Sequence, residues 1–237
     1  MATFVIVHGA WSGAHAWWKV RPLLRAAGHE VFTPSLTGLG ERAHLTSPDI
    51  DLDTHIQDVV GLLEYEDLHD VTLVGHSYGG MVISGVADRL PERLAQLVYL
   101  DAEVPADGQS EYDLMPAPER AVYEASARDK GDGWRIPPPV PDTLPDDLEP
   151  DLRWALSRMV PQPVKTFTQP VRLTSPAVAK LPRTYIRCTE GKEGEALPAY
   201  VERARSEPGW RYRELAAGHG AHVTAPQALS KLLVELV

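Results

Sequence analysis

Short apolar runs alternate with amphipathic stretches along this chain. "TFVIVHG", "HEVFTPS", "VTLVGHS", "LAQLVYLDA", "RTYIRCT" and "WRYREL" are rich in β-branched and aromatic residues and end in glycine or polar residues. Each predicts a buried strand. In "DTHIQDVVGLLEYE", Ile56, Val59, Val60 and Leu63 recur at helical spacing, and Thr54 with Gln57 reads as a capping box. The last segment repeats the pattern, with Thr224 and Gln227 opening a helix and Leu229, Leu232, Leu233 and Leu236 forming its apolar stripe. Strands alternating with such helices predict an α/β fold with a mostly parallel sheet of about six strands, covered on both faces.

One interval breaks the rhythm. From Val104 to Pro182 the chain is dense in proline, as in "RIPPPVPDTLPDDLEP", and carries Tyr112, Met115, Tyr123, Trp134, Trp154, Met159 and Phe167 among charged residues. Proline at that density forbids a central strand and predicts only short helices. A linker would be nearly free of aromatics. The expectation is therefore a core of residues 1–103 and 183–237 with a lid at 104–182 that settles on the sheet edge. Trp134 and Trp154 are its candidate substrate-binding residues, since apolar aromatics commonly line pockets.

Composition narrows the choice of partners. With 237 residues the chain suits one such domain, and a formal net charge of −10 disfavours a nucleic-acid surface or a polybasic membrane anchor. A small neutral or cationic molecule is the expected ligand, and a homodimer is left open. The single cysteine, Cys188, cannot form an intrachain disulfide and reads as a buried strand-end residue. "MATFVIVHGAW" enters an apolar run with no basic leader, and no apolar stretch approaches the ~18 residues of a membrane helix. A cytoplasmic location is the resulting expectation.

Candidate chemistry sits where the strands end. Gly75-His76-Ser77-Tyr78-Gly79 is a G-x-S-x-G that follows a strand and precedes a helix, the setting in which a sharp turn lifts a serine hydroxyl above the sheet. The helix N-terminus beneath it favours developing negative charge. A base is offered by His219 in "LAAGHGAHVTAP", between the last strand and the last helix, with His222 as an alternative. No ligand cluster at metal spacing accompanies the two histidines, so no metal and no cofactor are expected. The N–H of Tyr78 and that of Ala10, at the end of the opening strand in "VHGAW", are candidate donors to a tetrahedral oxyanion.

"FVIVHGAWSGAHAWWKVRPLLRAAGHEV", "TGLGERAH", "LVGHSYGG" and "YLDAEVPADGQS" together resemble the α/β-hydrolase superfamily, and within it the small esterases that group with plant methylesterases and hydroxynitrile lyases. The resemblance covers most of the chain except the middle of the lid. It implies a Ser77 and His219 pair, an oxyanion hole at Ala10 and Tyr78, and a lid inserted after the strand ending at Leu100.

The chain departs from that family at the acid. Similar esterases carry C-T-x-D after the next-to-last strand, whereas "CTEGKEGE" places Gly191 there, flanked by Glu190 and Glu193. Loss of an orienting carboxylate costs on the order of 10⁴ in rate. Pancreatic-type lipases and certain haloalkane dehalogenases, which resemble this chain at the level of the superfamily, hold the acid one strand earlier. Asp101 of "VYLDAEVP" occupies that position and is the first candidate, ahead of Glu103, then Glu190 or Glu193. The alternative is no acid at all.

The expected function is a serine hydrolase of a small ester, thioester or lactone. Lyase chemistry is disfavoured, because similar lyases carry Thr at the position of Gly9 and Lys directly after the histidine, where this chain has Gly220. A cofactor-free carbon–carbon hydrolase and a catalytically weak binding protein on the same fold are the competing readings.

Overall fold

The computed structural model describes residues 1–141, 143–191 and 197–237. Its strands are β1 (Thr3–Val7), β2 (Glu30–Phe32), β3 (Val71–His76), β4 (Leu94–Leu100), β5 (Arg135–Ile136), β6 (Gln162–Pro163), β7 (Arg183–Cys188) and β8 (Trp210–Leu215). Its helices are α1 (Val20–Ala26), α2 (Leu52–Tyr65), α3 (Gly79–Arg89), α4 (Glu111–Leu114), α5 (Ala117–Lys130), α6 (Pro150–Leu156), α7 (Lys165–Thr168), α8 (Ala199–Ser206), α9 (Ala221–Thr224) and α10 (Pro226–Val234). The six strands predicted from the apolar runs form one sheet in the order β2-β1-β3-β4-β7-β8. Every neighbouring pair in it is parallel.

Side-chain alternation divides the core into two layers. Val5, Val7, Leu73, Leu97 and Tyr99 pack under α2 and α3 on one face. Phe4, Ile6, Val74, Val98 and Leu100 pack under α1 and α10 on the other. Burying one such aliphatic side chain contributes about 1.5–3 kcal/mol, so the doubly covered sheet supplies most of the favourable free energy. The free Cys188 is buried at the end of β7.

The order of the strands also places the site. From β1 the chain moves outward to β2 and then returns across β1 to β3, so the connections after β1 and β3 diverge at neighbouring strand ends. Crevices at such reversal points, on the carboxyl edge of a parallel sheet, are where α/β folds bind ligands.

Two helix starts differ from the sequence reading. The N-cap of α2 is Asp51, whose carboxylate accepts from Thr54 N at 2.9 Å, while Thr54 Oγ1 accepts from Asp51 N in return. Asp51 caps better than Thr54 would, and the helix gains one turn. The final helix is broken at Ala225 into α9 and α10, with Pro226 opening α10 because proline is tolerated in the first turn and not in the interior. Of the predicted stripe, Leu229 and Leu233 of α10 and Leu236 just beyond it are buried, and Leu232 is half-buried.

Residues 104–182 hold α4 to α7 and the separate antiparallel pair of β5 with β6. Helix α5, at 14 residues, is longer than proline density alone predicts. Its prolines, Pro116 and Pro118, are confined to the N-cap and first turn, and the rest of the helix has none.

Candidate active site

Backbone strain marks the carboxyl edge of the sheet. Trp11, Ser77 and Asp101, just beyond β1, β3 and β4, have positive φ values of 61°, 53° and 45°. A non-glycine residue held there costs about 1–2 kcal/mol, and such strain concentrates at functional sites. Around Ser77 the turn leaves no room for side chains: a Cβ on Gly75 would lie 2.5 Å from Gly79 O, and one on Gly79 would lie 2.7 Å from Val7 O. These contacts explain the glycines of the G-x-S-x-G. Gly9 plays a similar part across the crevice, where a Cβ would come within 3.0 Å of the Ser77 Cβ.

Asp101 and His219 are joined. His219 Nδ1 donates to Asp101 Oδ2 at 2.7 Å, from a side chain 53% exposed to one only 3% exposed. The other carboxylate oxygen accepts from Cys188 N at 3.2 Å, and Asp101 N donates to Ile186 O at 2.7 Å. The carboxylate is thus anchored on the end of β7, although its own residue follows β4. His76, the variable residue of the motif, donates from Nε2 to His219 O at 2.9 Å. Burial, with His219 and His222 nearby, holds the His76 ring neutral, well below the usual histidine range.

The remaining candidate acids lie elsewhere. Glu103 lines the same cavity, and burial pushes its carboxyl up to about 7; its Oε2 has no hydrogen-bond partner. Glu190 is exposed and donates its N–H to Ala217 O at 3.1 Å. Glu193 falls outside the described residues. Gly191 has φ 78°, a backbone that an aspartate adopts only with strain. His222 is buried and stacked on Trp17 with ring centroids 4.9 Å apart, and burial lowers its pKa to about 3. That environment suits a structural imidazole better than a base working near neutrality.

Ala10 and Tyr78 lie beside Ser77 at the cavity wall. Among the described residues, neither backbone N–H donates to a protein acceptor. The Tyr78 ring is committed elsewhere: it is fully buried, its hydroxyl meets His55 Nδ1 at 3.0 Å, and it stacks on Phe167. Ala10 is held through its neighbour. Trp11 N donates to Gln162 Oε1 at 3.0 Å, Trp11 Nε1 donates to Ile136 O at 2.9 Å, and Trp11 O accepts from Val160 N at 2.9 Å. The inserted segment therefore grips the loop that carries the Ala10 N–H.

Ser77, His219 and Asp101 open onto a cavity of about 1160 Å³. Trp134 and Trp154 are not among the described residues that line it, which corrects their assignment as substrate-binding residues. Trp154 packs edge to face on His15 and tilted on Trp18 at 4.5 Å, with the Arg158 guanidinium 4.1 Å from its ring centroid. The adjoining face of α6, with Leu152, Ala155 and Leu156, meets the cavity instead. Trp134 leads into β5 under the Arg135 guanidinium. From the same segment Tyr123 and Phe167 do line the cavity. The spacing of Leu152, Ala155, Leu156 and Met159 was a visible helical stripe that pointed to this face.

Two cavity residues escaped sequence reasoning. His76 stands at a variable motif position, and its contact with the His219 loop spans 143 residues. Glu111 is 5% exposed, lines the cavity and leaves its Oε2 without a partner. In sequence it is an ordinary acidic residue in the first turn of a helix.

The chain is similar to known proteins. The profile of the alpha/beta hydrolase family matches residues 4–232. A carbendazim hydrolyzing esterase from Nocardioides sp. is 40% identical over 244 residues, covering all of both chains. The pFDCC methylesterase MES16 of Arabidopsis thaliana is 25% identical over 99% of this chain and 94% of its own. Among solved structures, an extracellular alpha/beta-hydrolase from a Paenibacillus species superposes with a TM-score of 0.81 at 26% identity, covering 99% of this chain and 98% of the other.

Proposed function

The chain belongs to the alpha/beta hydrolase family and is a carboxylic-ester hydrolase, and from that premise we propose that it cleaves a small ester, thioester or lactone through an acyl-enzyme on Ser77. His219 Nε2 takes the Ser77 proton as the hydroxyl attacks the carbonyl carbon. The oxyanion that forms accepts from the Ala10 and Tyr78 N–H groups. His219 then returns the proton to the departing alcohol, and water repeats the sequence to release the acid. Asp101 fixes the His219 tautomer and stabilises the imidazolium.

The observation that carries this reading is the 2.7 Å bond from His219 Nδ1 to Asp101 Oδ2, beside a strained Ser77. The bond from the Ser77 hydroxyl to its base is one that tightens when substrate binds. The segment 104–182 acts as a lid that shapes the substrate pocket and sets the position of Ala10. A binding-only protein drew its support from Gly191, and a carboxylate at Nδ1 withdraws that support. Fluorophosphonate labelling is the test: stoichiometric labelling of Ser77 with loss of p-nitrophenyl acetate hydrolysis supports the acyl-enzyme, and labelling of another residue or undiminished turnover overturns it.

A further inference from the structure

The wall of the cavity is strongly one-sided in charge. Asp101, Glu103, Glu111, Asp113 and Glu119 line it, against Arg187 as the single lysine or arginine among the described lining residues. Asp101 is bound to His219 and Cys188, and Asp113 is occupied by Ser110 in the cap of α4. Glu103 and Glu111 are different. Each leaves its buried Oε2 without any hydrogen-bond partner. Glu111 is more than nine-tenths buried.

Leaving a buried polar group unpaired costs about 1–3 kcal/mol, more when it is charged. Native proteins pair such groups, and an exception calls for a reason. Neither carboxyl is needed to orient His219, a role filled geometrically by Asp101. The two influence each other, since Glu103 is the foremost charge acting on Glu111. Burial holds both carboxyls above the usual range, Glu103 at about 7 and Glu111 also pushed well up. A ligand that brings hydrogen-bond donors and positive charge satisfies both oxygens at once.

We propose that Glu103 and Glu111 form a recognition subsite for a protonated nitrogen, so that this hydrolase prefers esters whose non-reacting part carries an amidinium or ammonium group. The proposal rests on the reading of the cavity as the substrate site and names the class of substrate it selects. Clefts lined by one sign of charge also concentrate ligands of the opposite sign, which adds to the preference.

Binding to the Ser77→Ala protein tests the subsite independently of catalysis. Benzamidine, a planar cation, and benzamide, its neutral counterpart, are titrated by calorimetry at pH 8. Benzamidine is expected to bind at least tenfold more tightly, and Glu111→Gln and Glu103→Gln added to the same protein are expected to erase most of that difference. Equal affinity for the two ligands overturns the proposal without any variant of the glutamates being needed. A preference that survives in both folded glutamate variants also overturns it. Retained ester hydrolysis by Ser77→Ala would instead overturn the acyl-enzyme reading, and the two failures are therefore distinct.

Discussion

His219 and Asp101 are 118 positions apart in the chain and 2.7 Å apart in space. The buried carboxylate reaches its imidazole from the end of β4 while bonding the end of β7. Removing only its charge is therefore an informative change. Asp101→Asn is expected to lower kcat by about 10²–10⁴, with the fold intact by circular dichroism. Glu190→Gln, on an exposed side chain, should leave kcat within twofold. Equal losses in the two variants would remove Asp101 from the proposed triad.

Ser77→Ala should abolish turnover of short p-nitrophenyl esters and relieve a strained residue only slightly, since alanine at φ 53° is no more comfortable than serine. Activity within tenfold of the parent protein refutes the nucleophile.

Gln162 tests the link between the inserted segment and the loop that carries Ala10, the proposed oxyanion donor. It is fully buried and accepts from Trp11 N, one residue from Ala10. Gln162→Ala leaves that N–H unpaired, a cost of about 1–3 kcal/mol, and frees Trp11 to leave its strained conformation. The expected result is a kcat about tenfold lower with KM changed little. A rise in KM alone would show that Gln162 shapes binding and not the donor.

Selectivity should follow the residues that face the cavity. Tyr123→Ala is expected to change the ranking of kcat/KM across acyl-chain lengths, because the ring lines the cavity against Trp11. Trp154→Ala, which loses packing on Trp18 and His15, should lower the melting temperature by a few degrees and preserve the ranking. The reverse pattern would return Trp154 to the pocket.

Buried titratable groups set a pH profile for stability. Burial lowers His8 and His55 to about 4 and His222 to about 3, with His76 also well below its usual value. In the unfolded chain these groups titrate near 6.5. Their contribution is therefore complete above pH 6.5 and is lost as the pH falls toward 4. Glu103 and Glu111, with raised values, act oppositely: their contribution is present below about 4.5 and lost as the pH rises, through about 7 for Glu103. Four histidines outweigh two glutamates, so the melting temperature should fall between pH 6.5 and 4.5. Glu111→Gln should raise it at pH 8 more than at pH 5, and an equal change at both values would contradict a Glu111 carboxyl raised by burial.

Features encoded locally were readable in the sequence. The tight turn at Ser77 needs only a strand, a helix and glycines within a few residues, and Gly75, Gly79 and Ser77 carry all of it. The strand set followed from six apolar runs for the same reason. The carboxylate that meets His219 could be ranked but not chosen, because the choice depends on β4 and β7 pairing across the inserted segment. Trp134 and Trp154 were misplaced for a related reason. An aromatic residue in a proline-rich segment states that it is apolar, but only the docking of α6 decides which of its faces meets the cavity. At α2 the error was one turn, where Asp51 and Thr54 are both good caps and the reciprocal bonds select the earlier one.

Neighbouring strands in a sheet are about 4.8 Å apart, so the ends of β4 and β7 offer one imidazole two adjacent seats for a carboxylate. A lineage can occupy the second seat before vacating the first, and every intermediate along that route keeps an acid within reach. In the proposed triad the seat at the end of β4 is the filled one, with Asp101 Oδ2 on His219 Nδ1, and position 191 needs no carboxylate. Judging such chains active or inactive from one aligned column would count a relocated part as a lost one.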